Sequence, residues 1–267
     1  MKMTPDDKIL VSFLEEKAEQ CASNQMITCS KFLDMHEKSL AATLRLPYGV
    51  RRIFYGGFDE AERSLAVYLP EYIEAPDYSA LNEFFETSAG DCPVSILEIK
   101  KDKFSKELTH RDYLGALMGL GINRDMTGDI IVSKEGCHIA VLKTMAEYIA
   151  ENLTSAGRGT LNIKIAAPWE ITDLPRNEGT PDSFTVSSPR LDSVVKNGFG
   201  ISREGACEAI SKGLVFLNDI ECGKPDKRIG EGDKISLRHK GRIIISSLPG
   251  KSKKGRDIVN IIRFTVK

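Results

Sequence analysis

The chain has 267 residues, 41% of them apolar and 28% charged, with a net charge of −1, a composition expected of a soluble protein of two or three domains. No apolar run approaches the roughly 18 residues of a membrane span, and the start MKMTPDDKIL is acidic and lacks an apolar signal core, so a cytosolic, unexported protein is expected. Cysteines 21, 29, 92, 137, 207 and 222 form no CxxC pair and histidines 36, 110, 138 and 239 no metal-type spacing, which predicts reduced thiols and no structural zinc.

Taken in chain order, Thr4-Pro5-Asp6-Asp7 offers a helix start, with proline and acids in the first turn. Ile9, Leu10, Phe13, Leu14 and Ala18 then follow at helical spacing. Phe32, Leu33, Leu40 and Leu44 predict a second helical piece ending before Pro47. VRRIFYGGF and SLAVYLPEY read as strands separated by Gly56-Gly57 and the Asp59–Arg63 stretch, and Glu71 to Asp77, between prolines, marks a first boundary.

An ordered alternation follows: strand 94–100, helix 109–120, strand 129–133, strand 138–142, helix 144–153, strand 161–166. This βαββαβ order is the split arrangement of ferredoxin-like and RRM domains, with both helices on one sheet face. VSILEIK and HIAVL carry no aromatic residue for stacking bases, so a scaffold role is expected of this domain rather than base reading. Gly115 and Gly119 are expected to share a helix face that packs closely on the sheet, and Pro168 and Trp169 to pack between domains. HRD at 110–112 has no accompanying DFG or glycine-rich loop, which excludes a kinase, and the nearby glycines are not a GxGxxG fingerprint. TDLPRNEGTPDSFTVSS (172–188) reads as a linker or extended arm.

Charge is divided unevenly along the chain. Residues 186–267 hold 17 Lys and Arg against 9 Asp and Glu, a net of +8, and residues 1–185 hold 20 against 29, a net of −9. A basic C-terminal third points to a polyanion partner, because each phosphate neutralised releases counterions. Within it, RLDSVVKNGFGISREGACEAISKG (190–213) encodes two short helices. Leu191, Val194 and Val195 make the apolar stripe of the first, which Gly198 or Gly200 stops. Ser202 caps the second, Ala206, Cys207 and Ile210 face the core, and Gly213 ends it. Arg203 then lies in a first helical turn, where the helix dipole disfavours a cation; a phosphate docked at that terminus would compensate. VFLN and IECGKP form a hairpin turning at Asn218-Asp219, Gly232-Asp233 turns into the strand KISLRHK, and IIISS and IVNIIRFTV pair as strands.

The ordered pattern RLD…SR…A…I…G.V.LN…K…GD.I over Arg190 to about Leu237 resembles the S-four-type RNA-binding domain, or alpha-L motif. YGGFDEAERSLAVYLP (55–70), LTHRDYLGALMGLGINRDMTGDIIV (108–132) and GKSKKGRDIVNIIRFTV (250–266) extend the likeness over nearly the whole chain, which resembles the YlmH family of bacterial ribosome-associated proteins. A departure stands at RHKGR (238–242), where relatives carry a glycine–aromatic pair.

The resemblance implies an α+β fold: an N-terminal region (1–75), an RRM-like domain (76–170), a linker (171–188) and an S-four-type domain with a basic β-hairpin (189–267). It implies a non-catalytic, cofactor-free protein that binds ribosomal RNA and tRNA on the large ribosomal subunit, in rescue or quality control of stalled translation. By that resemblance Arg190 and Arg203 grip structured RNA, with Lys212 and Asn218 near the helix end and turn. Lys224, Lys227, Arg228, Arg242, Lys251, Lys253 and Lys254 add basic contacts. Neither a membrane nor a small-molecule substrate is expected. An RNA-modifying enzyme is the alternative, since the module accompanies pseudouridine synthases whose catalytic aspartate lies in an RLD run. There it is followed by threonine, serine and glycine; here Ser193-Val194-Val195 follow Asp192, inside the module. The glycine-rich loop of a methyltransferase and the signature motifs of a tyrosyl-tRNA synthetase are missing from the sequence.

Overall fold

Thr4 and Asp7 set the start of the first helix, α1 (Pro5–Asn24): the Asp7 amide donates to the Thr4 hydroxyl at 3.1 Å and the Thr4 amide to the Asp7 carboxylate at 2.8 Å. The computed structural model describes residues 3–59, 61–102, 107–157, 159–172, 174 and 179–264. Glu60 of the 59–63 stretch, residues 173 and 175–178 of the expected linker and the terminal 265–267 therefore lie outside the described residues. The chain divides into two units, 1–175 and 176–267.

In the first unit, α1 buries Leu14, Ala18 and Cys21; Ile9, expected on that stripe, is 70% exposed on another side of the helix. Phe32 and Leu33 precede the second helix rather than forming part of it, because Asp34 caps α2 (Met35–Thr43) and accepts the Glu37 amide at 2.9 Å. Strands β1 (Thr28–Cys29), β2 (Val50–Tyr55) and β3 (Leu65–Pro70) form an antiparallel sheet in the order β1-β3-β2. All of β3 is buried, since its alternate residues enter two cores. Ala66 and Tyr68 join Leu14, Ala18 and Ala41, whereas Leu65, Val67 and Leu69 join Tyr55 and the residues that follow.

Those residues include a helix not foreseen from the sequence, α3 (Tyr78–Thr87), capped by Asp77 and burying Leu81 and Phe85. Their cluster runs on into Val94, Ile96 and Ala140, so packing continues without a break across the boundary expected near residue 75. The elements β4 (Val94–Lys101), α4 (His110–Gly119), β5 (Thr127–Val132), β6 (Gly136–Leu142), α5 (Lys143–Asn152), β7 (Ser155–Ala156) and β8 (Gly159–Ala166) follow the expected alternation, with short β7 added. Their sheet has the order β5-β6-β4-β8-β7.

The two faces of this second sheet differ. Leu97, Ile99, Ile139 and Val141 meet Tyr113 and Leu117 of α4 and Ala146 and Ile149 of α5. Val94, Ile96 and Ala140, on the opposite face, are buried under Phe32, Tyr55, Phe58 and Val67. Gly57 permits that approach: at φ 81°, a Cβ there would stand 2.8 Å from Val94 Cγ1. Gly115 and Gly119 do not mediate close packing: both lie on the exposed side of α4, where a Cβ at either position would meet no atom within 4 Å. Trp169 is half-buried against the shared cluster within this unit.

The second unit opens with a strand where a linker is expected. β9 (Thr180–Val186) pairs along its length with the last strand and closes one edge of a six-stranded sheet. Helices α6 (Leu191–Gly198) and α7 (Arg203–Ser211) come next, then β10 (Val215–Leu217), β11 (Ile220–Glu221), β12 (Lys234–Leu237), β13 (Gly241–Lys251) and β14 (Asp257–Phe264). The sheet order is β11-β10-β12-β13-β14-β9, antiparallel throughout. Leu191, Val194, Val195, Ala206 and Ile210 pack on Val215, Ile235, Ile243, Ile245, Val259 and Ile261. Ala209 is buried and Cys207 half-buried, so the inward stripe of α7 is rotated slightly from the expected one.

Candidate nucleic-acid interface

The start of α6 is built by chain segments far apart in sequence. Its first amides lack intrahelical partners, as in any helix, and here a loop supplies them. Leu191 N donates to Lys227 O at 2.8 Å and Asp192 N to Pro225 O at 2.9 Å, while Ile229 N donates to Pro189 O at 2.8 Å. Arg190 and Arg228 form an antiparallel bridge beside them. The exposed Lys224, Lys227 and Arg228 are thereby fixed next to Arg190.

Asp192 joins the two helix starts. Its side chain is 2% exposed, with Arg190 Nε 3.2 Å from Oδ1, Arg190 Nη2 3.3 Å from Oδ2, and Arg203 Nη2 3.7 Å from Oδ2. Ser193 N also donates to Oδ1, at 2.9 Å. The arginine side chains stay 42% and 73% exposed. Two permanent cations against one carboxylate leave the cluster with a net charge of about +1. The cation in the first turn of α7 is therefore compensated inside the fold by Asp192, with Glu204 beside it in sequence, and needs no bound phosphate. Ser202 caps this helix as expected, accepting Gly205 N at 2.9 Å.

The β register separates the other candidates. Lys251, Asp257 and Val186 share one row at one end of the sheet, whereas Arg242 and Phe264 pair seven strand residues away along β14, about 23 Å. Arg190 follows Val186 by four residues, a chain reach of at most about 14 Å. Lys253 and Lys254 are exposed in the turn after Lys251, closed by Ser252 N to Arg256 O at 2.7 Å. Arg256 Nη2 donates to Thr185 O at 3.1 Å. Arg242, at the far end, lies over the Phe264 ring at 4.7 Å. Lys212 pairs with Glu208 at 2.6 Å on α7. The Asn218 side chain serves the fold: Nδ2 donates to Asp233 Oδ1 and Lys234 N donates to Asn218 Oδ1, each at 2.9 Å. Sequence reasoning considered Asp192 as a catalyst and missed it as the centre of the cluster; the signal was an acid in the first turn of an otherwise apolar helical stripe.

In the first unit, the polar segment from His110 to Asp129 does structural work. Asp129 accepts the Glu62 and Arg63 amides at 2.7 and 3.0 Å. The Arg63 guanidinium donates to Thr127 O, Phe32 O and Arg124 O. Arg124 donates to Thr127 O and Gly128 O, and burial, with the Arg63 charge adding, pulls its pKa down to about 10. Burial, then Arg124, also lowers His110 from the usual histidine range. The Asp112 carboxyl is held low by the Thr109 amide. Among the described residues, no helix is long and apolar enough to cross a membrane, and no group of three His, Cys, Asp or Glu could hold a metal ion.

Fold and site together define a mixed α+β protein with a cationic cluster at one end of its second unit. A family model described as "Putative RNA-binding domain in YlmH" matches residues 88–168. The chain is 31% identical over 227 residues to ribosome-associated protein quality control protein P2 of Bacillus subtilis strain 168, covering 84% of this chain and 82% of that protein. It is also similar to a solved structure, the cell division protein ylmH from Streptococcus pneumoniae, at 22% identity and a TM-score of 0.48, covering 65% of this chain and 98% of that one. The chain belongs to the YlmH family.

Proposed function

We propose that this protein is a non-catalytic, ribosome-associated RNA-binding protein. It occupies ribosomal RNA and tRNA on the large subunit during rescue or quality control of stalled translation. The observation that carries the RNA contact is the convergence of Arg190 and Arg203 on Asp192 beside the pinned loop of Lys224, Lys227 and Arg228. Phosphate contact by such a cluster is salt-dependent and independent of base sequence. The relative's name supports the ribosomal setting; the family model supports an RNA role for the chain, but it matches residues 88–168 in the first unit and so does not bear on the Arg190–Arg203 cluster.

In this reading, residues 189–267 act as the S-four-type module, with β9 completing their sheet, and Lys251, Lys253 and Lys254 extend the contact. The β4–β8 region is an RRM-like scaffold. Its helix-free face is covered at Val94, Ile96 and Ala140, and the part left accessible carries Glu98, Lys100, His138 and Lys164 rather than the aromatic residues that stack bases. The enclosed Asp192 carboxylate, engaged by two guanidinium groups, fits a structural acid better than the catalytic aspartate of a pseudouridine synthase. Sucrose-gradient sedimentation tests the proposal: the full-length protein co-migrates with the large subunit, and the Arg190→Ala/Arg203→Ala double variant shifts to the light fractions. Equal co-migration of both would remove these arginines from the contact.

A further inference from the structure

A buried carboxylate is an odd component of a surface meant for phosphates, since it repels the ligand and loses its own hydration. At Asp192 the backbone already anchors the 224–228 loop, through Leu191 N to Lys227 O and Asp192 N to Pro225 O. The side chain is not needed for that link. It accepts the Ser193 amide at 2.9 Å and two Arg190 guanidinium nitrogens at 3.2 and 3.3 Å, and lies 3.7 Å from Arg203 Nη2. We infer that Asp192 is a positioning residue for the polyanion: its carboxylate holds the two guanidinium groups in one mutual orientation, with their remaining N–H groups facing solvent. The inference rests on the RNA reading above.

The physical basis is preorganisation. A free arginine side chain loses substantial rotamer entropy when it is fixed on a phosphate. Tethering one edge of the Arg190 guanidinium by two hydrogen bonds, with Arg203 drawn in by charge at 3.7 Å, removes part of that loss from the binding step, while the remaining N–H groups keep donors for a phosphate fork. The exposures of 42% and 73% leave both groups reachable. An electrostatic account without positioning gives the opposite sign. Removing Asp192 raises the net charge of the cluster by one, and affinity for a polyanion should then rise.

The test titrates the full-length protein against a fluorescein-labelled RNA stem-loop by anisotropy over a salt series, with circular dichroism melts as the folding control. Asp192→Asn, which retains an acceptor for Ser193 N, should weaken binding about tenfold, within the roughly five- to 160-fold range of a lost directed guanidinium contact. In an Arg190→Ala/Arg203→Ala background the same change should have no further effect, because nothing remains to position. Unchanged or tighter binding by Asp192→Asn overturns the inference, as does an equal loss in the double-variant background. Should Asp192→Asn fail to fold, Arg190→Lys decides: it keeps the charge but loses the fork, and is expected to bind several-fold more weakly; wild-type affinity overturns the inference. Absence of salt-dependent binding by the wild-type protein would instead overturn the RNA reading itself, and the inference with it.

Discussion

At the residue scale, similar local sequence signals lead to different chemical duties. Arg190 and Arg203 stand at helix starts with exposed guanidinium groups, and removing the Arg203 side chain should cost roughly 1–3 kcal/mol of RNA affinity where it forks a phosphate or base edge. A binding isotherm of Arg203→Ala at fixed salt checks this. Asn218 stands in a hairpin turn with φ 52° and spends both ends of its amide on Asp233 and Lys234. Asn218→Ala should destabilise the protein by roughly 1–3 kcal/mol through strain in the left-handed region and two lost hydrogen bonds. Asn218→Gly should relieve the strain but not restore the bonds, so urea midpoints should fall in the order wild type, glycine, alanine. Arg203 stands out in the sequence because a cation in a first helical turn contradicts the helix dipole, whereas Arg190, the cap of α6, is singled out by the family resemblance. Their compensation by Asp192 was not legible, since sequence spacing does not reveal which carboxylate a second helix will bring close.

At the element scale, capping chemistry made boundaries readable and tertiary pairing made others invisible. Thr4-Pro5-Asp6-Asp7 announces α1, and its reciprocal cap is present. The Asp7 carboxyl is held below its ordinary range, first by the Thr4 amide and further by His36, against the opposing effect of burial. A carboxylate with a depressed folded pKa stabilises the protein above its unfolded value of about 3.9 and ceases to do so as pH falls through the folded value. Asp7→Asn should therefore lower the melting temperature at neutral pH, by an amount corresponding to about 1 kcal/mol, and the gap to wild type should close below about pH 4. By contrast, β9 contains Pro181 and small polar residues and looks like a linker until β14 pairs with it. α3 was missed although Asp77 and the Leu81, Phe84, Phe85 spacing encode it, because the surrounding prolines suggested a boundary. The β13–β14 turn presents Lys253 on an exposed tip. Lys253→Ala should reduce the salt slope of RNA binding by about one unit without changing sequence preference, as measured by titrations on two unrelated stem-loops.

At the scale of the molecule, charge and packing divide the chain in nearly the same place. Residues 186–267 carry +8 and residues 1–185 carry −9, and the packing break falls between 175 and 176. The second unit has its own apolar core from Leu191 and Val194 to Val259 and Ile261, and a sheet closed at one edge by β9. Among the described residues the first unit has no equivalent break, because Leu65, Val67 and Leu69 on one face of β3 share a single cluster with Val94, Ile96 and Ala140 of β4 and β6. A fragment of residues 176–267 should therefore fold cooperatively, as domains of this size with a single core do. It should retain the salt-dependent RNA affinity of the full chain, whereas a fragment beginning at residue 189, the boundary the sequence suggested, lacks β9 and exposes the β14 edge and Phe184's packing site. The shorter fragment should melt at lower temperature and aggregate more readily, which calorimetry and light scattering of the two fragments would compare. Equal stability of both would mean that β9 contributes nothing to the module. Comparable RNA affinity of the acidic 1–175 fragment would move the contact away from Arg190 and Arg203 altogether.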